Sequence, residues 1–311
     1  YWFFVGDKDE GEGGTDTGRL SAKGPAVQTI PKHTKWAKRI RACYIAPPGY
    51  LMSERDYSQG ELRVIACLAN EANMIAAYRQ DMDLHSITSG KFAGYTYDEM
   101  MAMKNSSDPN IVKKWEEIRY MGKAGNFGKI YGMGAEGFIS YAYLNYGVVL
   151  TLQQSTDFHN SFFGSYPRLL DYHRDQKAEA KKYKQVRGPL GRIRHLPLID
   201  SPKQDVRAQA ERNAINSPTQ GTLSDMMIWA FSESQLQFPD LFESKQIMPF
   251  LACHDAGYDY VLEDKAEELV KLQVDVMQNL PFHKVGWNPQ LQFMADAKLG
   301  VDMASLKAVK V

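Results

Sequence analysis

The chain has 311 residues, of which 44% are hydrophobic, and its 37 Lys plus Arg balance 37 Asp plus Glu. Such a composition belongs to an ordinary globular protein, long enough for a large core and two or more subdomains. Zero net charge excludes a uniformly basic nucleic-acid coat, although a basic groove balanced by acid elsewhere stays open. No apolar run reaches the roughly 18 residues of a membrane span. Cys43, Cys67 and Cys253 are widely spaced and form no CxxC pattern, which fits free thiols in a reducing, cytoplasmic compartment.

Taken in chain order, the first residues (YWFFVGDKDEGEGG) are neither a signal nor a transit peptide, and they lack an initiator Met. A fragment, a processed product or a trimmed chain is therefore expected. Residues 41–58 read as two strands joined at Pro47-Pro48-Gly49, and 61–80 has helical periodicity. Thr96 with Glu99, and Thr151 with Gln154, fit capping boxes. Asp108-Pro109 offers an N-cap and a proline at the first helical position. Pro167 opens a helix to about Lys184, and 185–197 has a turn between short extended pieces. Two helices are expected next, at 203–216 and 218–235. Strands meeting near His254-Asp255, a helix at 264–280 and a last strand near 290–297 complete an α+β pattern.

RYMGKAGNFGKIYG (119–132) raises the sharpest question. Steps of four residues drift by only about 40° on a helix, so Arg119, Lys123, Phe127 and Tyr131 share one broad face. Two cations one turn apart suit a triphosphate, and two aromatics suit a base and sugar. Yet Gly122, Gly125 and Gly128 each cost a helix interior roughly 0.5–1 kcal/mol relative to alanine. Small residues at that spacing serve either close approach or bending.

Other stretches carry polar chemistry. Asp56, at a strand end, and Asp255, at a strand turn, could hold hard divalent cations with substrate phosphates completing the shell. Residues 173–195 hold eight Lys and Arg against two acids, which could track a phosphate backbone. In ERNAINSPTQGT, Asn216 and Gln220 offer amides, but Pro218 between them argues against one regular helix face.

Together these stretches resemble family A DNA polymerases, the bacterial DNA polymerase I type. DYSQGELR (56–63), RYMGKAGNFGKIYG and CHDAGYDYV (253–261) are similar to three of that family's motifs. TGRLS (17–21), QTIP (28–31), GRIRHLP (191–197) and AERNAINSPTQGTLSDM (210–226) fit further signatures in family order. The resemblance covers about residues 15 to 300.

The resemblance implies a right-hand fold: an antiparallel-sheet palm (1–80 and 185–311) and helical fingers (81–184), with the thumb largely absent. It implies template-directed addition of deoxynucleoside triphosphates to a primer 3′-hydroxyl. Asp56 and Asp255 would bind two Mg2+ ions, for which Mn2+ can substitute. Arg119, Lys123 and His85 would hold the triphosphate, with Lys123 as proton donor to the leaving pyrophosphate. Phe127 would lie beside the sugar, Tyr131 near the template–primer end, and Glu61 would crowd a 2′-hydroxyl. Arg19, Gln28, Arg192, Arg212, Asn216, Gln220 and His254 would contact primer–template DNA.

Departures accompany the resemblance. Gly60 replaces a larger apolar residue beside Glu61, Ala256 replaces a glutamate after Asp255, and Ala26 replaces a polar contact. This divergence is compatible with a phage or viral source. Only 16 residues precede TGRLS, so a thumb or exonuclease region is expected from the same longer chain or a separate polypeptide. The competing expectations are a single-subunit RNA polymerase relative and a non-catalytic nucleic-acid-binding subunit derived from a polymerase.

Overall fold

The computed structural model describes residues 2–4, 15, 17–23, 27–31, 34–253 and 256–310. Strands β1 (Trp2–Phe4) and β2 (Ser21–Lys23) pair antiparallel, and α1 (Ala37–Arg41) leads to β3 (Tyr50–Tyr57). Eight helices follow: α2 (Gly60–Leu68), α3 (Ala72–Arg79), α4 (Leu84–Ala93), α5 (Tyr97–Lys104), α6 (Pro109–Ile130), α7 (Ala135–Tyr146), α8 (Leu152–Ser165) and α9 (Arg168–Tyr183). A two-stranded sheet of β4 (Gln185–Arg187) and β5 (Ile193–His195) precedes α10 (Gln204–Gln237) and α11 (Pro239–Glu243). The chain closes with β6 (Ile247–Cys253), β7 (Ala256–Leu262), α12 (Ala266–Gln278), β8 (Ala295–Gly300) and β9 (Lys307–Val309). The class is α+β, as expected. Two units are distinct, one within 1–61, 187–192 and 220–311, the other within 62–186 and 193–219.

The first unit is built on a five-stranded antiparallel sheet in the order β6-β7-β3-β8-β9. Alternation along β3 sends Met52, Glu54 and Asp56 to one face, and Ser53, Arg55 and Tyr57 to the other. Met52 packs with Val27, Leu251, Cys253, Ala256, Tyr258 and Met303. On the opposite face the Tyr57 hydroxyl donates to the Met277 carbonyl of α12 at 2.9 Å. There Arg55 forms a buried ion pair with Asp259, which also accepts from Gln273 Nε2 at 2.9 Å. The Arg55 guanidinium lies 5.3 Å from the Phe231 ring centre. Burial pushes the Asp259 carboxyl above its ordinary range, against the pull of Arg55.

The second unit is helical, and its helix starts follow sequence logic. Thr96 and Glu99, and Thr151 and Gln154, form the two expected capping boxes. Asp108 caps α6 with Pro109 in its first turn. The interior is aromatic, with Phe158 stacked on Phe138 and edge-on to Phe92.

Four expectations need correction. Residues 41–58 hold one strand; the first piece contributes only an isolated bridge, Ile45 to Asp302. The periodic segment 61–80 breaks at Asn70, whose φ of 48° suits an Asn far better than a branched residue. The last strand begins at Ala295, and a further strand, Lys307–Val309, follows it. Finally, α10 runs unbroken from 204 to 237 with Pro218 inside it. A proline there removes one backbone hydrogen bond and costs about 3 kcal/mol. Burial of the apolar Ala214, Ile215 and Leu223 around it offsets that cost.

Candidate nucleotide-binding and carboxylate sites

In the helical unit, α6 separates its residues by face. Gly122, Ala124, Gly125, Asn126, Gly128, Lys129 and Ile130 are buried. Arg119, Lys123, Phe127 and Tyr131 are all half-buried, with Tyr131 serving as the C-cap. The glycines lie on the packed side. A Cβ on Gly122 would stand 2.2 Å from the His85 carbonyl oxygen, and one on Gly125 would stand 2.0 Å from the Phe158 ring. A Cβ on Gly128 would be 3.2 Å from Phe138. The helix gives up propensity so that α4, α7 and α8 can approach it closely.

Arg119 is held by Asp83, the N-cap of α4. Its Nε donates to Asp83 Oδ2 at 2.6 Å and its Nη2 to Oδ1 at 3.1 Å. The same carboxylate caps Ser86 N at 3.3 Å and accepts from Ser86 Oγ at 2.7 Å. Hydrogen bonds from Arg119 and Ser86 hold its pKa below the usual range, although burial pulls the other way. His85 is only 3% exposed. Its Nδ1 lies 2.9 Å from the Asn126 amide nitrogen, and its ring is 5.9 Å from that of Phe127. Burial, reinforced by the charges of Arg119 and Lys123, pushes the His85 pKa down to about 4. At neutral pH this histidine offers hydrogen bonds and no charge.

Sequence reasoning named His85, Arg119, Lys123, Phe127 and Tyr131 but missed Asp83, Ser86, Trp115 and Asn126. The signal for Asp83 was present: an Asp three residues before Ser86 at a helix start is an N-cap pattern. Lys129 was also missed. It is fully buried, donates to the Met133 and Gly134 carbonyls at 3.3 Å, and has its pKa lowered by burial to about 8. Two predicted DNA contacts fall in this unit. Arg212 is exposed and donates to Gln209 at 2.5 Å. Asn216 is half-buried, and its Oδ1 is buried with no hydrogen-bond partner among the described residues.

In the sheet unit, Asp56 is half-exposed near the end of β3, in register with Ala256 on β7 and Asp296 on β8. His254 and Asp255 lie outside the described residues, as does Ala26. Gln59, at φ 49°, turns the chain out of β3 and sets Glu61 in the first turn of α2, where the helix dipole favours an acid. Glu61 Oε1 accepts from Arg19 Nη2 at 2.6 Å. Gly60 is packed: a Cβ there would stand 2.7 Å from Leu223 and 2.9 Å from Tyr57.

The remaining predicted contacts of this unit are also engaged. Arg192 Nε donates to both carboxylate oxygens of Asp225 at 3.0 Å. Its guanidinium covers Gly18, where a Cβ would come within 2.2 Å and where φ is +74°. Gln28 Nε2 donates to the carbonyls of Leu20 at 2.5 Å and Ala252 at 3.0 Å, tying the TGRLS segment to the end of β6. Gln220 is half-buried on α10. Arg19, Arg192 and Arg119 thus each have a carboxylate partner.

The family model described as DNA polymerase family A matches residues 11–303. The chain belongs to that family. DNA polymerase I of Pseudomonas aeruginosa is 35% identical over 211 residues, covering 68% of this chain and 21% of that protein. The thermostable DNA polymerase I of Thermus thermophilus is 31% identical over 293 residues, covering 94% and 32% respectively. Among solved structures, the POL domain of Pol1 from M. smegmatis, in complex with DNA primer-template and dNTP, matches with a TM-score of 0.79. That match has 27% identity and covers 94% of this chain and 47% of the other. The family A chain described here spans between 21% and 32% of the length of these two curated relatives. Among its described residues no helix is long and apolar enough to cross a membrane, and no three His, Cys, Asp or Glu side chains group as a metal cluster.

Proposed function

We propose that this chain is the nucleotide-adding part of a template-directed DNA polymerase. The sheet-bearing palm lies in 1–80 and 185–311, and the helical fingers in 81–184. The observation that carries the reading is the α6 row: two cations and two aromatics, half-exposed on one face, beside a neutral His85. Membership of the DNA polymerase family A supports it.

Arg119 and Lys123 hold the triphosphate as fork donor and point charge. Phe127 lies along the sugar, Tyr131 near the template–primer end, and His85 donates a hydrogen bond. The primer 3′-hydroxyl releases its proton to solvent as its oxygen bonds to the α-phosphorus and the bond to pyrophosphate breaks, and Lys123 gives the departing pyrophosphate a proton. Fixed cations meet the charge that builds on the phosphate oxygens. Glu61 crowds a 2′-hydroxyl. Arg19, Gln28, Arg192, Arg212, Asn216, Gln220 and His254 contact the duplex. The partners are primer–template DNA, dNTPs and a thumb or exonuclease region.

The fit to divalent metal rests on donor chemistry. Asp56 faces Asp296 directly across the ladder, and opposed like charges on one sheet face repel. Hard oxygen donors of this kind suit Mg2+, with Mn2+ as substitute. Asp56 and Asp255 would hold the ions, which when bound neutralise charge on the reacting phosphate. One observation favours the non-catalytic alternative: buried Ala256 leaves no third carboxylate at its position.

Primer extension with dNTPs and Mg2+, run beside Asp255→Ala, tests the reading. Extension abolished by the substitution supports it. Equal inertness of both proteins, even with a thumb region added, favours the scaffold.

A further inference from the structure

Asp83 has no role in the proposed chemistry, yet it makes a two-point contact to Arg119 of the row on α6. Its two oxygens grip the Nε–Nη2 edge of Arg119 in a fork. The side chain is further fixed by Ser86 N and Oγ. Ser86 Oγ also accepts from Trp115 Nε1 at 3.3 Å, and the Trp115 ring centre is 5.6 Å from the Arg119 guanidinium. The guanidinium is thus held along one edge and flanked by a ring. Its Nη1 nitrogen has no hydrogen-bond partner among the described residues.

We infer that Asp83 is a positioning residue for nucleotide binding: by clamping the Nε–Nη2 edge it presents the Nη1 donors of Arg119 to the phosphates of a nucleoside triphosphate. The inference rests on the nucleotide-binding reading of α6. A flexible arginine gives up side-chain freedom when it binds phosphate, and a carboxylate clamp removes part of that cost beforehand. The sign is diagnostic. A carboxylate near phosphates repels them, so if Asp83 merely competed for Arg119 its removal would tighten binding. If it positions Arg119, its removal weakens binding.

The test uses a fluorescent deoxynucleoside triphosphate as probe, titrated into the chain bound to a dideoxy-terminated primer–template. Asp83→Asn keeps the capping oxygen and the shape but loses the charge, and Asp83→Ser is a second cap-preserving variant. Both should weaken nucleotide binding by about 5- to 10-fold, equivalent to loss of part of a charge-assisted hydrogen bond. In extension assays KM for the dNTP should rise while kcat stays within about twofold. In an Arg119→Ala background, Asp83→Asn should add nothing. Unchanged or tighter binding in Asp83→Asn overturns the inference, as does an equal loss in the Arg119→Ala background. Failure of the unsubstituted chain to bind the probe overturns the nucleotide-binding reading itself, and the inference with it.

Discussion

Arg19 donates to Glu61 across 42 residues of sequence, at 2.6 Å and with both side chains largely shielded from solvent. The TGRLS segment therefore holds the carboxylate proposed to exclude a 2′-hydroxyl. Arg19→Ala removes this contact to Glu61 and should relax sugar discrimination. The ratio of dNTP to rNTP incorporation should fall about 3- to 10-fold, the effect of losing one partly buried charged contact. An unchanged ratio in single-nucleotide extension would show that Glu61 is held by other means.

Gly60, which stands beside Glu61 where a larger apolar residue is expected, has no room for a side chain. Leu223 occupies the space a side chain at position 60 would need, and Tyr57 Cβ is close behind it. Even Gly60→Ala should destabilise the fold by about 1–3 kcal/mol through overpacking. Adding Leu223→Ala should recover part of that loss in urea unfolding, and discrimination is best compared in the Leu223→Ala background.

The glycines of α6 answer to packing. Gly122→Ala would drive a methyl into the His85 backbone carbonyl, which cannot rotate away, whereas Gly125→Ala meets the side chain of Phe158. Both should destabilise despite the better helix propensity of alanine. Only the second should be rescued by trimming its neighbour, as in Gly125→Ala with Phe158→Leu. Urea denaturation midpoints of the four proteins check this.

The helical unit should be acid-sensitive. His85 and His173 both have pKa values pushed down to about 4 by burial, from an ordinary 6.5. The unfolded chain then binds more protons than the folded one, so stability falls as the pH drops from about 6.5 toward about 4. At pH 5 each histidine should account for on the order of 2 kcal/mol of that fall. His85→Gln should flatten the dependence of unfolding free energy on pH, and an equally steep profile would contradict the assignment.

Sequence patterns revealed the elements with local causes. Caps at Thr96, Asp108 and Thr151 are set by residues within one turn, and the four-residue period of α6 is visible without any partner. The failures were non-local. Pro218 stays helical because tertiary burial outweighs its local cost, and one 34-residue helix replaced two expected ones. The carboxylate partners were hidden for the same reason. Asp225 lies 33 residues from Arg192, and Asp83 lies 36 from Arg119. Asp296 meets Asp56 only through the register of β8, which no short motif encodes. His85 was legible as a position but not as a neutral group, since its burial comes from Asn126 and Phe127 on another helix.

The most direct measurement is extension of a labelled primer by this chain with dNTPs and Mg2+, beside Lys123→Ala and Asp56→Asn. The unsubstituted chain should add nucleotides templated by the opposite strand, in short products with frequent dissociation. Lys123→Ala should slow addition by about 10²- to 10⁴-fold, the usual worth of a general acid, and Asp56→Asn should be inactive. Templated extension that survives both substitutions, or none by any of the three even with a thumb region supplied, would contradict the polymerase assignment.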